Sequence, residues 1–538
     1  MRYRFGNKIV KIPGAYSQIK SGLEISPVTQ DYGTVLIIDL GMGENSSVGS
    51  GINGENEQGK NSIATITNFL DGEAFFRDGQ LYSIMQPCFR PSPNFAESGC
   101  SQIKVVRAAT TTAAEIDITL TGDGGDAGTV KIKTIGEGTA VNGVESNNKL
   151  TKGFKAEFIE LDSGGYIMNI YRGTFRGINP QAIPYNLPES ESEPELIYQT
   201  GTFTTVSELK DLIEEDREFS EFFILGDVTV DQDTISDFGG EEFLFSGGSA
   251  TYGQSDLDDA LDTIKDLNVR FILTTDFFTD AESANNAKII TYIEQENKFK
   301  PELYVGGGEG KSSFMTSSDS SKSAVEFFNS QNVTVVHGRP VVRSEASANK
   351  QRIESSFYKA ALIMGREAGL EPQIPTTYKN VNILSDKHEL SETDIEAGIG
   401  AGILMTKEHE GRHEVVFGIN SLQNNNNLMN QDSTTPNKQL RRIVRQVNAE
   451  LIVNLKNDLL KNPVGTNRHT LSPVDYERYI DNYLRNITAN TTQDNLILRH
   501  QNVQVQVDGL AYRASYEIVP NFEVAFLFST GFVIDPQN

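Results

Sequence analysis

A chain of 538 residues is too long for one hydrophobic core and should divide into roughly three or four domains. It carries 47 basic against 73 acidic side chains, a net charge of −26, and such a surface repels nucleic acid and anionic membrane, which excludes both as partners. Residues 1–20 lack the apolar run of a signal peptide, nothing later approaches a membrane span, and two cysteines, Cys88 and Cys100, are too few for a disulfide framework. The expectation is a soluble chain made and kept in a cytoplasm, with two ordinary thiols.

The first dozen residues alternate basic and aromatic side chains, Arg2-Tyr3-Arg4-Phe5, and reach Ile12-Pro13-Gly14, which predicts an extended arm ending in a turn. A buried strand, TVLIIDLG from Thr34, follows. The sequence then predicts a helix near Ile63 to Leu70 and a second buried strand in SQIKVVRAA. From Glu115 to Gln199 the periods shorten to strands punctuated by glycine turns (EIDITLTGDGG, TVKIKTIGEG, GFKAEFIEL, YIMNIYRGTF), a β-rich inserted domain. It closes in LPESESEPE, an acidic linker. Beyond it SELKDLIEED, EFFILGDVTV, DLDDALDTIKDLN, VRFILTTDFF, NAKIITYIEQENKF, PELYVGGG, SAVEFFNSQN and VTVVHGRPVV alternate helix and buried strand, as in an α/β layer with a mainly parallel sheet.

Two segments approach the phosphate-binding loop without completing it. GENEQGKN, Gly54 to Asn61, has the glycine spacing but ends in an asparagine that lacks the magnesium-ligating hydroxyl, and Glu55 and Glu57 stand where phosphates would lie. In ELYVGGGEGKSS the Gly310-Lys311-Ser312 end is right, but Val305 occupies the position of the first glycine.

The last third returns to helices. SSFYKAALIMGREAG ends at Gly369, and SETDIEAGIGAGIL opens on a Ser-x-x-Asp cap. His409-Glu410-Gly411-Arg412-His413 matches the His-Glu-x-x-His signature of zinc metalloproteases, whose two histidines share a metal because positions i and i+4 of a helix lie about 6 Å apart. Here a polar cluster sits between GIGAGILMT and the β-branched EVVFGI, which predicts two strands joined by a glycine turn; on an extended chain the same spacing is about 13 Å. Leu440, Ile443, Val444, Val447, Leu451, Leu455 and Leu459 trace one face of a long helix, and Tyr476, Tyr479, Ile480, Tyr483, Leu484 and Ile487 one face of the next. Both stripes are read as core. NVQVQVDGLAYRASYEI predicts a hairpin across Asp508-Gly509, and NFEVAFLFSTGFVI places Phe522, Val524, Phe526 and Phe528 on one face of a final strand that needs a partner.

KIPGAYSQIKSG, TVLIIDLG, SQIKVVRAA and TIGEGTAVNGV in the first half, then SSFYKAALIMGREAGLEPQIPTTYKNVNIL, SETDIEAGIGAGILM, HEVVFGINSL, KQLRRIVRQVNAEL and SPVDYERYIDNYLRNI, come in an order that resembles contractile phage tail sheath proteins, most closely from about Ser355 to Asp535. The loop from Gln423 to Gln439 and the β-rich insert are not diagnostic of that family. The resemblance implies a multidomain α+β and α/β chain: an arm over 1–20, an α/β domain split between 21–112 and 200–348, the β-rich insert over 113–199, a mixed inner domain over 349–510, and a strand arm over 511–538. It implies a non-enzymatic subunit without cofactor or metal, polymerised as stacked hexameric rings around a tail tube and contracting to drive the tube through a host envelope for genome ejection.

The partners so implied are other sheath subunits, the tube protein, and baseplate and tail terminator proteins; the place is the virion, with host cytoplasm during assembly. The sheath of a bacteriocin or another injection system is the near alternative. Strand exchange between subunits is expected at Arg2, Tyr3, Arg4 and Phe5 and at Phe522, Val524, Phe526 and Phe528. Lys438, Arg441, Arg442 and Arg445 form a basic cluster read either as a tube contact or as arginines pairing within the subunit. Two other classes stay open on the sequence: a zinc hydrolase using Glu410, and an adhesive protein binding through the Glu115 to Gln199 segment.

Overall fold

The computed structural model describes residues 3–5, 8–10, 33–39, 48–49, 63–69, 80–94, 97, 99–108, 110–122, 125–137, 141–146, 149–173, 194–214, 216–230, 235, 237–238, 242–251, 254–265, 267, 269–277, 283–295, 301–343, 351–372, 374–422, 442–443, 446–447, 450–451, 472–488, 496–508 and 511–521. At its centre lies a seven-stranded sheet in the order Ile403–Leu404, Val333–Val336, Glu302–Gly306, Phe271–Phe277, Thr34–Asp39, Gln102–Arg107, Ile63–Ile66. Every neighbouring pair is parallel except the last, where Ile63–Ile66 runs antiparallel to Gln102–Arg107. A parallel sheet must be covered on both faces, and its central strands are accordingly apolar runs buried along their whole length. Alternate residues serve opposite layers. Val35 and Ile37 pack under helices Gln80–Phe89 and Ser356–Ala368, while Leu36 and Ile38 pack under Gln254–Ile264, Ser283–Gln295 and Ser320–Phe328.

The Ser356–Ala368 helix is buried at every position, which explains its apolar middle, Ala360 to Met364. Ser355 caps it by accepting from the Tyr358 amide. Gly365 is required by its neighbour: a Cβ there would lie 2.5 Å from the Cys88 carbonyl oxygen, so only glycine lets this helix cross Gln80–Phe89 so closely.

The insert is larger than the sequence indicated. Its two sheets, ordered Phe223–Val230, Gly125–Glu137, Thr110–Gly122, Asp237–Phe238 and Glu195–Gln199, Tyr166–Arg172, Phe154–Glu160, Glu242–Leu244, enclose one core that includes Val206, Leu209 and Ile213 of helix Val206–Glu214 and the ring cluster Phe154, Phe223 and Phe245. The chain enters and leaves through one antiparallel pairing, Thr110–Thr112 with Ser249–Thr251. SELKDLIEED and EFFILGDVTV, assigned from periodicity to the α/β layer, therefore belong to the insert, which runs from 110 to 251 rather than over 113–199. Periodicity gives an element's type; the choice of layer is made by its pairing, here Phe223–Val230 with Gly128 to Thr134.

Two further expectations change. Ile63–Ile66 is an edge strand and not a helix, as its β-branched IATI run allows. The boundary expected at 348/349 does not separate two cores, because Ser356–Ala368 covers the central sheet and Ile403–Leu404 extends it. The capping box at Ser391 and Asp394 is formed as predicted and opens helix Glu392–Gly400. A separate small core gathers Ile443, Val447 and Leu451 with Ile480, Tyr483 and Leu484 of helix Pro473–Thr488 and Ile497 of the hairpin Ile497–Asp508 and Ala511–Pro520. These buried positions fit the core reading of both stripes; Leu440, Val444, Leu455 and Leu459 lie outside the described residues.

Candidate functional site

The His-Glu-x-x-His segment is a hairpin. Thr406–His409 pairs with Arg412–Val415, with His409 opposite Arg412 and Glu408 opposite His413. Glu410 and Gly411 turn the chain with φ of 51° and 75°, the double left-handed conformation of a two-residue hairpin loop. His409 is adjacent to the residue opposite His413, so the two imidazoles leave opposite faces: His409 is exposed and His413 is buried. This geometry does not place them on one metal ion. Among the described residues no three histidine, cysteine or acidic side chains converge at metal-ligand spacing.

The second glycine loop is tied to the start of the chain's own Ser356–Ala368 helix. Gly307 to Ser312 follows the strand Glu302–Gly306, and Glu309 Oε1 accepts from the Ser356 amide at 2.9 Å while Ser356 Oγ donates to the Gly307 carbonyl at 2.7 Å. A helix N-terminus favours an anion, and Glu309 supplies one to the first turn of Ser356–Ala368, whereas the helix that follows the glycine loop, Ser320–Phe328, is capped by Asp319. Burial pushes the Glu309 carboxyl up, opposed by Arg339, whose guanidinium is 3.4 Å away, and by the Ser356 amide. The first loop, Gly54 to Asn61, lies outside the described residues.

Of the basic cluster, only Arg442 is described, and it is turned inward. It is 6 % exposed, and its guanidinium donates to the carbonyls of Glu367, Leu370, Glu371 and Ile374, closing the C-terminal end of the Ser356–Ala368 helix. A cation there satisfies carbonyls that the helix leaves open and meets the negative end of its dipole. Arg442 thus serves its own chain rather than an exposed face, and its partners are carbonyls rather than the acids considered from sequence. Lys438, Arg441 and Arg445 lie outside the described residues, as do Arg2, Phe522, Val524, Phe526 and Phe528. The amino-terminal strand Tyr3–Phe5, which holds Tyr3, Arg4 and Phe5, pairs antiparallel with Lys8–Val10. Near the other end, Ile497–Asp508 and Ala511–Pro520 form a two-stranded sheet with each other, and Val503, Val505, Tyr516 and Ile518 lean on the small core.

A polar pocket of about 180 Å³, not expected from sequence, lies between the hairpin and the sheet edge, lined in part by Lys359, Asp386, His388, Glu389, Glu408 and His413. The Lys359 ammonium is buried and donates to the His337 carbonyl at 3.0 Å and to both Asp386 oxygens at 2.9 and 2.7 Å, while Thr406 Oγ1 donates to Asp386 at 3.0 Å. Gly338, at φ 104°, makes room for that ammonium, which a Cβ would approach to 3.0 Å. His337 shares a 2.8 Å hydrogen bond with Ser321 Oγ, and burial drives its imidazole down to about 3, with Lys359 and His388 adding to the shift. His413 is also pushed down by burial, against the carboxylates of Asp386, Glu408 and Glu389. The contributing residues are scattered from 337 to 413, with no spacing that could have announced them.

No family model and no curated protein matches the chain. Solved structures do. The sheath tail protein of Desulfitobacterium hafniense is 12 % identical, with 94 % of this chain and 100 % of that one covered and a TM-score of 0.51. The sheath tail protein of Listeria innocua is 12 % identical (92 % and 96 % covered, TM-score 0.44), and the contracted helical sheath of the anti-feeding prophage 11 % (98 % and 100 %, TM-score 0.42). The chain has the fold of a contractile sheath protein.

Proposed function

We propose that the chain is the structural subunit of a contractile tail sheath, polymerising as stacked six-membered rings around a tail tube and passing from an extended to a shorter, wider state that drives the tube through a host envelope. The observation that carries this reading is a fold shared over the full length of the Desulfitobacterium sheath tail protein, in a chain whose segments already follow sheath order. The glycine loop tied to the Ser356–Ala368 helix and the divided histidine pair fit a subunit that works through assembly rather than turnover. The outer insert favours a phage tail over the minimal sheath of a bacteriocin or injection system.

Tyr3 to Phe5 with Arg2, and Phe522 to Phe528, are proposed as strands exchanged between subunits, because main-chain pairing can keep subunits linked while rigid domains rotate. Tube, baseplate and terminator proteins are the proposed partners, and the virion tail the proposed location. Negative-stain electron microscopy of the purified chain tests the reading. Hollow, regularly striated tubes are expected, and none from a chain lacking residues 1–11; monodisperse small particles from the full chain would refute the sheath role.

A further inference from the structure

We propose that the pocket floored by His413 and rimmed by Glu389 and Glu408 binds an alkylguanidinium cation. The floor supplies the first argument. His413 is 4 % exposed, and neither of its ring nitrogens has a hydrogen-bond partner among the described residues. A buried polar group without a partner costs roughly 1–3 kcal/mol, so the imidazole is primed for a ligand that can hydrogen-bond to it. Held neutral by its burial, it offers a lone pair to an N–H donor.

Charge gives the second. Two lysines line the pocket and both are engaged: Lys359 by Asp386, and Lys407 by Glu392. Glu389 and Glu408 are the two lining carboxylates for which the described residues supply no ion pair, and both act on His413 electrostatically. The site therefore presents two free negative charges and a neutral acceptor, a demand for a cation. Shape gives the third. The acidic and imidazole groups do not converge at metal-ligand spacing. Dispersed acceptors suit the planar guanidinium, with five N–H donors in a rigid fork and weak hydration, better than a compact and strongly hydrated ammonium. A volume of about 180 Å³ accommodates such a group with its alkyl stem running past Leu390 and Ile395.

The same chemistry has two sources, a free small cation or an arginine side chain of a second copy, and the assignment stands independently of the sheath reading. Calorimetric titration of the dilute full chain with N-propylguanidinium, and in parallel with N-propylammonium, tests it. Saturable binding near one per chain is expected, at least about tenfold weaker in Glu389→Gln/Glu408→Gln, the loss of two charge-assisted hydrogen bonds. Both substitutions are at exposed positions, and an unchanged melting temperature confirms the fold. His413→Leu should lose binding as well. No saturable heat, equal affinity in the double glutamine variant, or equal affinity for propylammonium would overturn the assignment. Sedimentation with the probe present separates the sources: dissociation of assembled species identifies an arginine of a second copy, and unchanged sedimentation with binding identifies a free cation.

Discussion

Burial pushes both His337 and His413 toward the neutral form, and this has a consequence for acid stability. His337 titrates near 3 when folded, against about 6.5 in an unfolded chain. As pH falls below about 6.5 the unfolded chain takes up the proton and the folded chain does not, so stability is complete above 6.5 and declines toward 3. His337 costs about 1.4 kcal/mol per pH unit within that window. Denaturant unfolding between pH 7.5 and 5 should show this slope, and His337→Gln should reduce it by about one proton; an unchanged slope would assign the acid sensitivity to other groups. Sequence named the six histidines but not this behaviour. Burial of a side chain at position 337 depends on Ser321 and Phe314, which approach it only in the fold.

At the scale of elements, one arginine of the basic sequence cluster has a structural role inside its own chain. Arg442 holds the C-terminal carbonyls of a helix that is buried on all sides. Arg442→Gln should lower stability by about 3 kcal/mol in denaturant unfolding, since several buried carbonyls lose a charged donor together. Arg441→Glu should leave that midpoint unchanged and weaken retention of a tube protein, as the tube-contact proposal for Lys438, Arg441 and Arg445 requires. Equal stability losses in the two variants would argue that the whole cluster is internal. The stripe of apolar residues at 443, 447 and 451 was legible because helical spacing repeats locally, and so was the hairpin at Glu410-Gly411, whose turn chemistry lies in two residues. The edge strand Ile63–Ile66 was not, because four residues carry too little period to distinguish a strand from a helix.

For the whole molecule, the main architectural fact is that a β-rich unit with its own core hangs from the α/β sheet by the pairing of Thr110–Thr112 with Ser249–Thr251. Insertions with closely spaced ends can be removed without breaking the host core. Replacing residues 113–248 by an Asn-Gly link between Thr112 and Ser249, which face each other in register, should give a cooperatively folding remainder. If the outer unit only decorates a sheath, that remainder should also form tubes. Loss of cooperative unfolding in the shortened chain would show that the two cores are interdependent.

The sequence by itself determined the local features: strand and helix types through their periods, the Ser391 cap, the hairpin in place of a zinc-binding helix, and the order of segments that resembles a sheath. These depend on interactions within a few residues, which the chain carries wherever it folds. Only the tertiary structure decided that Phe223–Val230 and Val206–Glu214 join the insert's core, that Ile403–Leu404 completes a sheet begun at Thr34, that Glu309 meets the start of the distant Ser356–Ala368 helix, and that Arg442 faces inward. It also created the His413 pocket, where residues from three strands, two helices and the segments between them converge. Strand pairing and burial join residues tens to hundreds of positions apart, and no local pattern encodes which of several chemically similar partners will be met.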